Sequence, residues 1–219
     1  MFSKIWLFVF VLLSASINIY SQFYESIEKT ATGYFISLSN KDPKADNDLL
    51  KLKQLLFSDF EKAEIESKYQ TALKDFESLK NHFSEYESIL NNISPDSALI
   101  LFNNWYLHLS NTFYNYCDEK FFSSNKTKIL FFSASMSCHC TLEMCKKQTI
   151  EILNLAREKN LDYWIVDSYE HNELQLKYET YFAPSLILFD GKNNVLYKIE
   201  YDENLKTKLV QFFELKLKG

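Results

Sequence analysis

The residues of this 219-residue chain best suited to chemistry are four cysteines: Cys117, Cys138, Cys140 and Cys145. Cys138, Cys140 and Cys145 are close together, in the stretch Ser137-Cys138-His139-Cys140-Thr141-Leu142-Glu143-Met144-Cys145. The thiolate, not the thiol, is the nucleophile in disulfide exchange. A sulfur in the first turn of a helix is held as thiolate by unpaired N–H groups and the positive end of the helix dipole. A helical pattern from Thr141 to Lys159, with Ile150, Leu153 and Ala156 on its inner side, places Cys138 and Cys140 there. Cys138 would attack a substrate disulfide and Cys140 would resolve the mixed disulfide. A Cys138–Cys140 ring would be small and strained, hence more easily reduced than a structural disulfide, which suits an oxidase or isomerase. His139 would add positive charge when protonated.

Cys145 lies five residues beyond Cys140, about 7.5 Å along a regular helix and turned by about 140°. A Cys140–Cys145 disulfide would exceed the usual Cα separation, whereas Cys138 could fold back to Cys145 more easily. Cys145 therefore reads either as an additional redox residue or as a buried, inert thiol. Cys117 reads as a core residue of the preceding helix. A rival chemistry is copper or zinc binding, since Cys138, His139, Cys140 and Cys145 offer three soft ligands and an imidazole. The remaining histidines are His82, His108 and His171. His171 reads as a surface residue opening a short helix. No metal and no cofactor are assigned.

The elements around the cysteines alternate strand and helix. Lys128 to Phe132 is an apolar strand, and Leu161 to Val166 is a second, beyond the helix. A short helix over His171–Tyr181, a strand over Ser185–Phe189, a turn at Asp190-Gly191, a strand over Val195–Tyr201 and a closing helix over Asn204–Leu217 follow. The order βαβαββα implies one parallel βαβ unit before an antiparallel hairpin.

That order resembles the thioredoxin superfamily over roughly residues 126–219. The strongest stretch is Lys177-Tyr178-Glu179-Thr180-Tyr181-Phe182-Ala183-Pro184-Ser185-Leu186-Ile187-Leu188-Phe189. Thioredoxins have a helix ending in a similar lysine-tyrosine pair, then a cis-proline followed directly by an apolar strand. Pro184 falls at that proline, and the resemblance implies that Ala183 and Pro184 lie beside the cysteines and bind substrate backbone. The cysteine segment departs from the family's Trp-Cys-x-x-Cys. An ungapped count from Phe132 puts Ser137 at the first cysteine and Met136 at the tryptophan; a one-residue shift puts Cys138 there. The expected fold is therefore α/β, a thioredoxin-like mixed sheet flanked by helices, preceded by an α-helical region. The expected activity is thiol–disulfide exchange on protein thiols or disulfides with an unidentified redox partner. A redox-inactive thioredoxin-like binding module is the alternative, beside the copper or zinc reading.

The first half is helical. Leu49, Leu52, Leu56 and Phe60 recur at helical spacing, as do Tyr69, Leu73, Phe76, Phe83, Tyr86 and Leu90. Residues 45–92 are expected to form two helices broken near 61–66, their stripe buried against the rest of the chain rather than against a coiled-coil partner. The stretch Tyr34-Phe35-Ile36-Ser37-Leu38 fits a strand or a helix, and Asn40 to Pro43 reads as a break. Ser94-Pro95-Asp96 starts a helix running to about Cys117. Ser123 to Lys126 reads as the linker, giving a helical region over 22–122 and the second domain over 126–219.

Lys4 followed by the apolar run Ile5–Leu13 and then small and polar residues has the layout of a signal peptide over residues 1–21, cleaved after Ser21 or Ser16. The run is shorter than the roughly 20 residues of a membrane span. The chain is therefore expected to be periplasmic or secreted, with no membrane span after cleavage, where thiols engage in disulfides or redox chemistry. A net charge of −5 argues against a nucleic-acid partner, which requires clustered positive charge. Hydrophobic residues at 47 % suffice for a packed core, and 3 Gly and 3 Pro favour long helices over tight turns.

Overall fold

A computed structural model describes residues 25–58 and 61–216. The expected signal peptide and its cleavage sites lie outside the described residues. Six helices come first: α1 (Glu25–Ser39), α2 (Ala45–Phe57), α3 (Lys62–Lys68), α4 (Leu73–Ile89), α5 (Pro95–Thr112) and α6 (Tyr114–Ser123). Then follow β1 (Lys128–Ser133), α7 (His139–Lys159), β2 (Asp162–Asp167), α8 (Asn172–Tyr178), β3 (Ser185–Phe189), β4 (Val195–Glu200) and α9 (Leu205–Lys216).

The sheet runs β2-β1-β3-β4. β1 is parallel to β2 and antiparallel to β3, and β3 is antiparallel to β4. Every residue of β1, β2 and β3 is buried, whereas β4, the edge strand open to solvent, buries only Ile199 and leaves Val195, Lys198 and Glu200 exposed. The expected βαβαββα order, with its parallel unit and antiparallel hairpin, is present. Gly191 is required by close approach: a Cβ there would stand 1.9 Å from the Asn125 carbonyl oxygen.

The first half departs from expectation at its breaks. Residues 45–92 form three main helices, and α3 occupies the stretch where the interruption was expected. Ser58 and Glu61 are extended, which ends α2 and starts α3 earlier. The second break lies at residues 69–72, where Gln70 takes a positive φ and the Thr71 hydroxyl donates to the Thr112 carbonyl at 2.9 Å. Buried Tyr69 packs edge-on against Phe113 and Tyr116 there, so an aromatic anchor sets the corner. The helix opened by Ser94, whose hydroxyl accepts from Ser97 N–H at 3.2 Å, stops at Thr112 rather than Cys117. Phe113 leaves helical geometry and buries its ring against Tyr69 and Phe76. The chain resumes as α6 and carries Ser123, expected in the linker, inside the helix. Residues 34–38, which fitted strand or helix, belong to α1.

The amphipathic stripe is buried within the chain: Leu52, Leu56, Tyr69, Phe76, Phe83 and Tyr86 are all inside. α5 is the central helix. On one side its Trp105 indole donates to the Leu79 carbonyl of α4 at 3.1 Å. On the other, its Ser110 hydroxyl accepts from the Trp164 indole of β2 at 3.2 Å. One continuous apolar core runs from Ile27 through α5 and the sheet to Leu209. Between α1, α5 and β2 lies a buried polar knot. Tyr106 donates to Glu28 at 2.6 Å, and Thr32 bonds Tyr106 at 2.9 Å and Tyr163 at 3.1 Å. Among the described residues, no helix is long and apolar enough to cross a membrane.

Candidate active site around Cys138 and Cys140

The site begins where β1 ends. Ser133 closes the strand, residues 134–137 form a loop, and α7 starts at His139 with Cys138 as its N-cap. Helix α7 therefore begins two residues earlier than the Thr141 start expected from sequence. This choice of helix start favours the one-residue shift: Ser137 lies outside the helix and Cys138 sits over its first turn. The loop is pinned from β2, because buried Asp167 accepts from Ser135 N–H at 3.2 Å and Tyr169 N–H at 3.0 Å through one oxygen. Sequence reading missed Asp167; a lone aspartate closing an apolar strand was the only signal.

The structure brings Cys138 and Cys140 together. Their sulfurs lie 2.7 Å apart, in direct contact and not joined as a disulfide, and both residues are exposed. The Cys138 sulfur also meets the Thr141 hydroxyl at 3.2 Å. The Cys138 pKa is lowered from 9.0 to about 6, first by the Cys140 hydrogen bond, then by Thr141 through its hydroxyl and its backbone N–H, with a smaller contribution from Ser137. As a thiol the side chain accepts no cap hydrogen bond; as a thiolate it would accept from the N–H donors that an N-terminal turn leaves free. Thr141 was missed as a functional residue, though a hydroxyl three residues past an N-cap is a recognisable position for it. His139 is exposed, and the groups that lower Cys138 are Cys140, Thr141 and Ser137.

The other cysteines are of a different kind. Cys145 is fully buried on the inner side of α7, in a small apolar cluster with Ala134 and Ala183. Burial raises its thiol from 9.0 to about 11. Cys117 is fully buried, and burial, with the carboxyl groups of Glu28 and Asp118, raises it well above 9.0. Among the described residues, no group of three or more His, Cys, Asp or Glu side chains is arranged to hold a metal ion. The soft-ligand set Cys138, His139, Cys140 and Cys145 does not converge, because the helix turns Cys145 into the core.

The Ala183–Pro184 peptide bond is cis. Ala183 packs with Ala134 of the thiol loop and Cys145 of α7, so the proline loop lies against the segment that delivers Cys138. Tyr181 and Phe182, just before it, are exposed, as is Met136 in the thiol loop. α8 is shorter than the expected 171–181: Glu179 takes a positive φ and ends it at Tyr178. His171 is not a plain surface residue. Its ring stacks on Tyr114 at 3.6 Å and its Nδ1 meets Glu173 at 3.3 Å.

No family model matches the chain, and no curated protein matches it. Among solved structures, the J-Trx1 fragment of ERdj5 is 15 % identical, with 90 % of this chain and 95 % of that chain covered at a TM-score of 0.38. The crystal structure of a designed protein is 18 % identical, with 45 % of this chain and 82 % of that chain covered at 0.35. A second designed protein, characterised by backbone chemical shifts, is 17 % identical, with 45 % and 81 % covered at 0.33. Likenesses at these TM-scores carry no argument, so function rests on the site.

Proposed function

We propose that this protein is an exported thiol–disulfide oxidoreductase, periplasmic or secreted, whose region 126–219 is thioredoxin-like and whose substrates are protein thiols or disulfides. One observation carries the reading: an exposed cysteine at a helix N-cap, lowered to about 6, with a second exposed sulfur 2.7 Å away. A thiol with a pKa slightly below ambient pH combines a large thiolate fraction with retained nucleophilicity.

In the direction that oxidises this protein, the Cys138 thiolate attacks one sulfur of a substrate disulfide. A Cys138–substrate disulfide forms, the substrate S–S bond breaks, and the departing thiolate takes a proton from water. Cys140 then gives up its proton and attacks the Cys138 sulfur, which closes Cys138–Cys140 and expels the second substrate thiolate. Two electrons pass from the Cys138/Cys140 dithiol to the substrate. The reverse sequence oxidises a substrate dithiol. Ala183, which packs against Ala134 of the thiol loop, and Pro184 beside it would line the substrate backbone's path.

A mass-resolved thiol count on the mature protein, equilibrated across glutathione redox buffers, tests this. The expected result is one reversible two-electron step, lost in Cys138→Ser and in Cys140→Ser, with Cys117 and Cys145 reduced throughout. Thiols that never titrate leave the redox-inactive binding module in its place.

A further inference from the structure

A cleft of about 570 Å³, the size of a small ligand site, opens between α4, α5 and the ends of β1 and β2. The first-half helices form one wall and the sheet's carboxyl edge the other. Ser135 belongs to both the cleft and the thiol loop, and three residues of chain span at most about 11 Å, so the cleft adjoins Cys138. Tyr86, Ile89, Leu101 and Trp105 give it an apolar wall. Its carboxylates are Glu85, Asp167 and Glu170, and among the described residues no lysine or arginine lines it. Its two histidines, His82 and His108, stand edge to face at 4.7 Å. His108 is pushed below the ordinary histidine value by burial and by His82, so it supplies no cation at neutral pH. An anionic occupant is therefore disfavoured. A group with an apolar stem and a cationic head complements both the wall and the charge, and lysine and arginine side chains are built that way.

We propose that this cleft is a specificity subsite of the Cys138 centre, taking a lysine or arginine side chain near the cysteine of the polypeptide whose disulfide Cys138 attacks. The proposal rests on the redox reading of Cys138 and names its substrate class: disulfides flanked by basic residues. It also gives the helical first half a role, since α4 and α5 supply the apolar wall and Glu85.

Two disulfide-linked peptides differing only in Lys or Glu two residues from the cysteine test it, with the mature protein at low salt. The lysine peptide oxidises the Cys138 pair roughly tenfold faster, the size two partly screened carboxylates can contribute. In the Glu85→Gln/Glu170→Gln variant the preference falls to about twofold or less, while iodoacetamide alkylates Cys138 at the unchanged rate. An equal rate for both peptides, or a preference that survives the double variant, overturns the subsite. Calorimetry with the same peptides carrying Ser for Cys separates the two readings. Lysine-selective binding that needs Glu85 and Glu170, without oxidation by either peptide, keeps the cleft and removes the redox centre. Oxidation without selectivity does the reverse.

Discussion

Cys138 and Cys145 are seven residues apart on one helix, yet their thiols are lowered to about 6 and raised to about 11. Cys138 stands at the exposed N-cap, where donors surround its sulfur. Cys145 stands two turns further on, closed in by Ala134 and Ala183, where lost water outweighs the hydrogen bonds from Ala134 and Ser133. The residue type is the same; position on the helix decides whether it is a nucleophile or a filler. Cys117 belongs with Cys145, buried and raised. The comparison breaks if either buried thiol reacts as fast as Cys138.

The largest expected effect is therefore in Cys138→Ser. At neutral pH, alkylation by iodoacetamide should lose its fast phase altogether, with Cys117 and Cys145 counted only after denaturation. In the parent protein the rate should rise with pH about a midpoint near 6. A midpoint near 9 would remove Cys138 from the role of nucleophile.

Cys140→Ser comes next, because the Cys140 hydrogen bond is the first cause of the low value. A serine hydroxyl at that place leaves Thr141 in position, so the midpoint should rise without returning fully to 9.0. At pH 6.5 the alkylation rate should fall roughly tenfold or less, following the thiolate fraction. No change in midpoint would show that the sulfur pair does not act as a unit.

Glu28 extends the same contrast to a carboxyl group. It is fully buried, raised above 4.5 by burial against the opposing hydrogen bonds from Tyr106, Tyr163 and Thr32, and one of its oxygens has no partner. A carboxyl raised on folding binds more protons in the folded state. Its contribution to stability is thus complete below pH 4.5 and lost as pH rises through the folded value. Glu28→Gln should remove that slope, so that the variant gains stability relative to the parent as pH rises from 4.5 to 8. Denaturant titration at pH 4.5 and 8 reads it; a slope unchanged in the variant would place the pH dependence elsewhere.

The second half was legible because each signal was local. Apolar runs bounded by Asp190-Gly191 or by helical periodicity fix strands and helices with little help from distant residues, and Ser185–Phe189 was read to the residue. The proximity of Cys138 and Cys140, two positions apart at the start of one helix, was legible for the same reason. The breaks in the first half were not, since they follow from contacts made across the chain: Tyr69 is held by Phe113 and Tyr116, more than forty residues on. Asp167 was illegible too, because its work is to accept an N–H from a loop thirty-two positions away. His171 shows the same limit, since its exposure is decided by Tyr114 stacking on it from another helix.

The smallest effect sharpens the comparison from its inert side. Cys145→Ala removes one sulfur from a packed cluster and should cost about 1 kcal/mol, with the Cys138 alkylation midpoint unchanged. Its second signature has a sign opposite to that of Cys138. A thiol raised to about 11 contributes stability below its ordinary 9.0 that is lost as pH rises through 11, so the parent should weaken between those values and the variant less so. A thiol lowered to about 6 contributes stability above 9.0 that is lost as pH falls through 6, a slope that Cys138→Ser should flatten. Melting temperatures of the parent and both variants from pH 5 to 11 place the two windows side by side. A Cys145→Ala variant that moved the acid window, or the alkylation midpoint of Cys138, would show that the two thiols titrate as one system and that the buried one is more than filler.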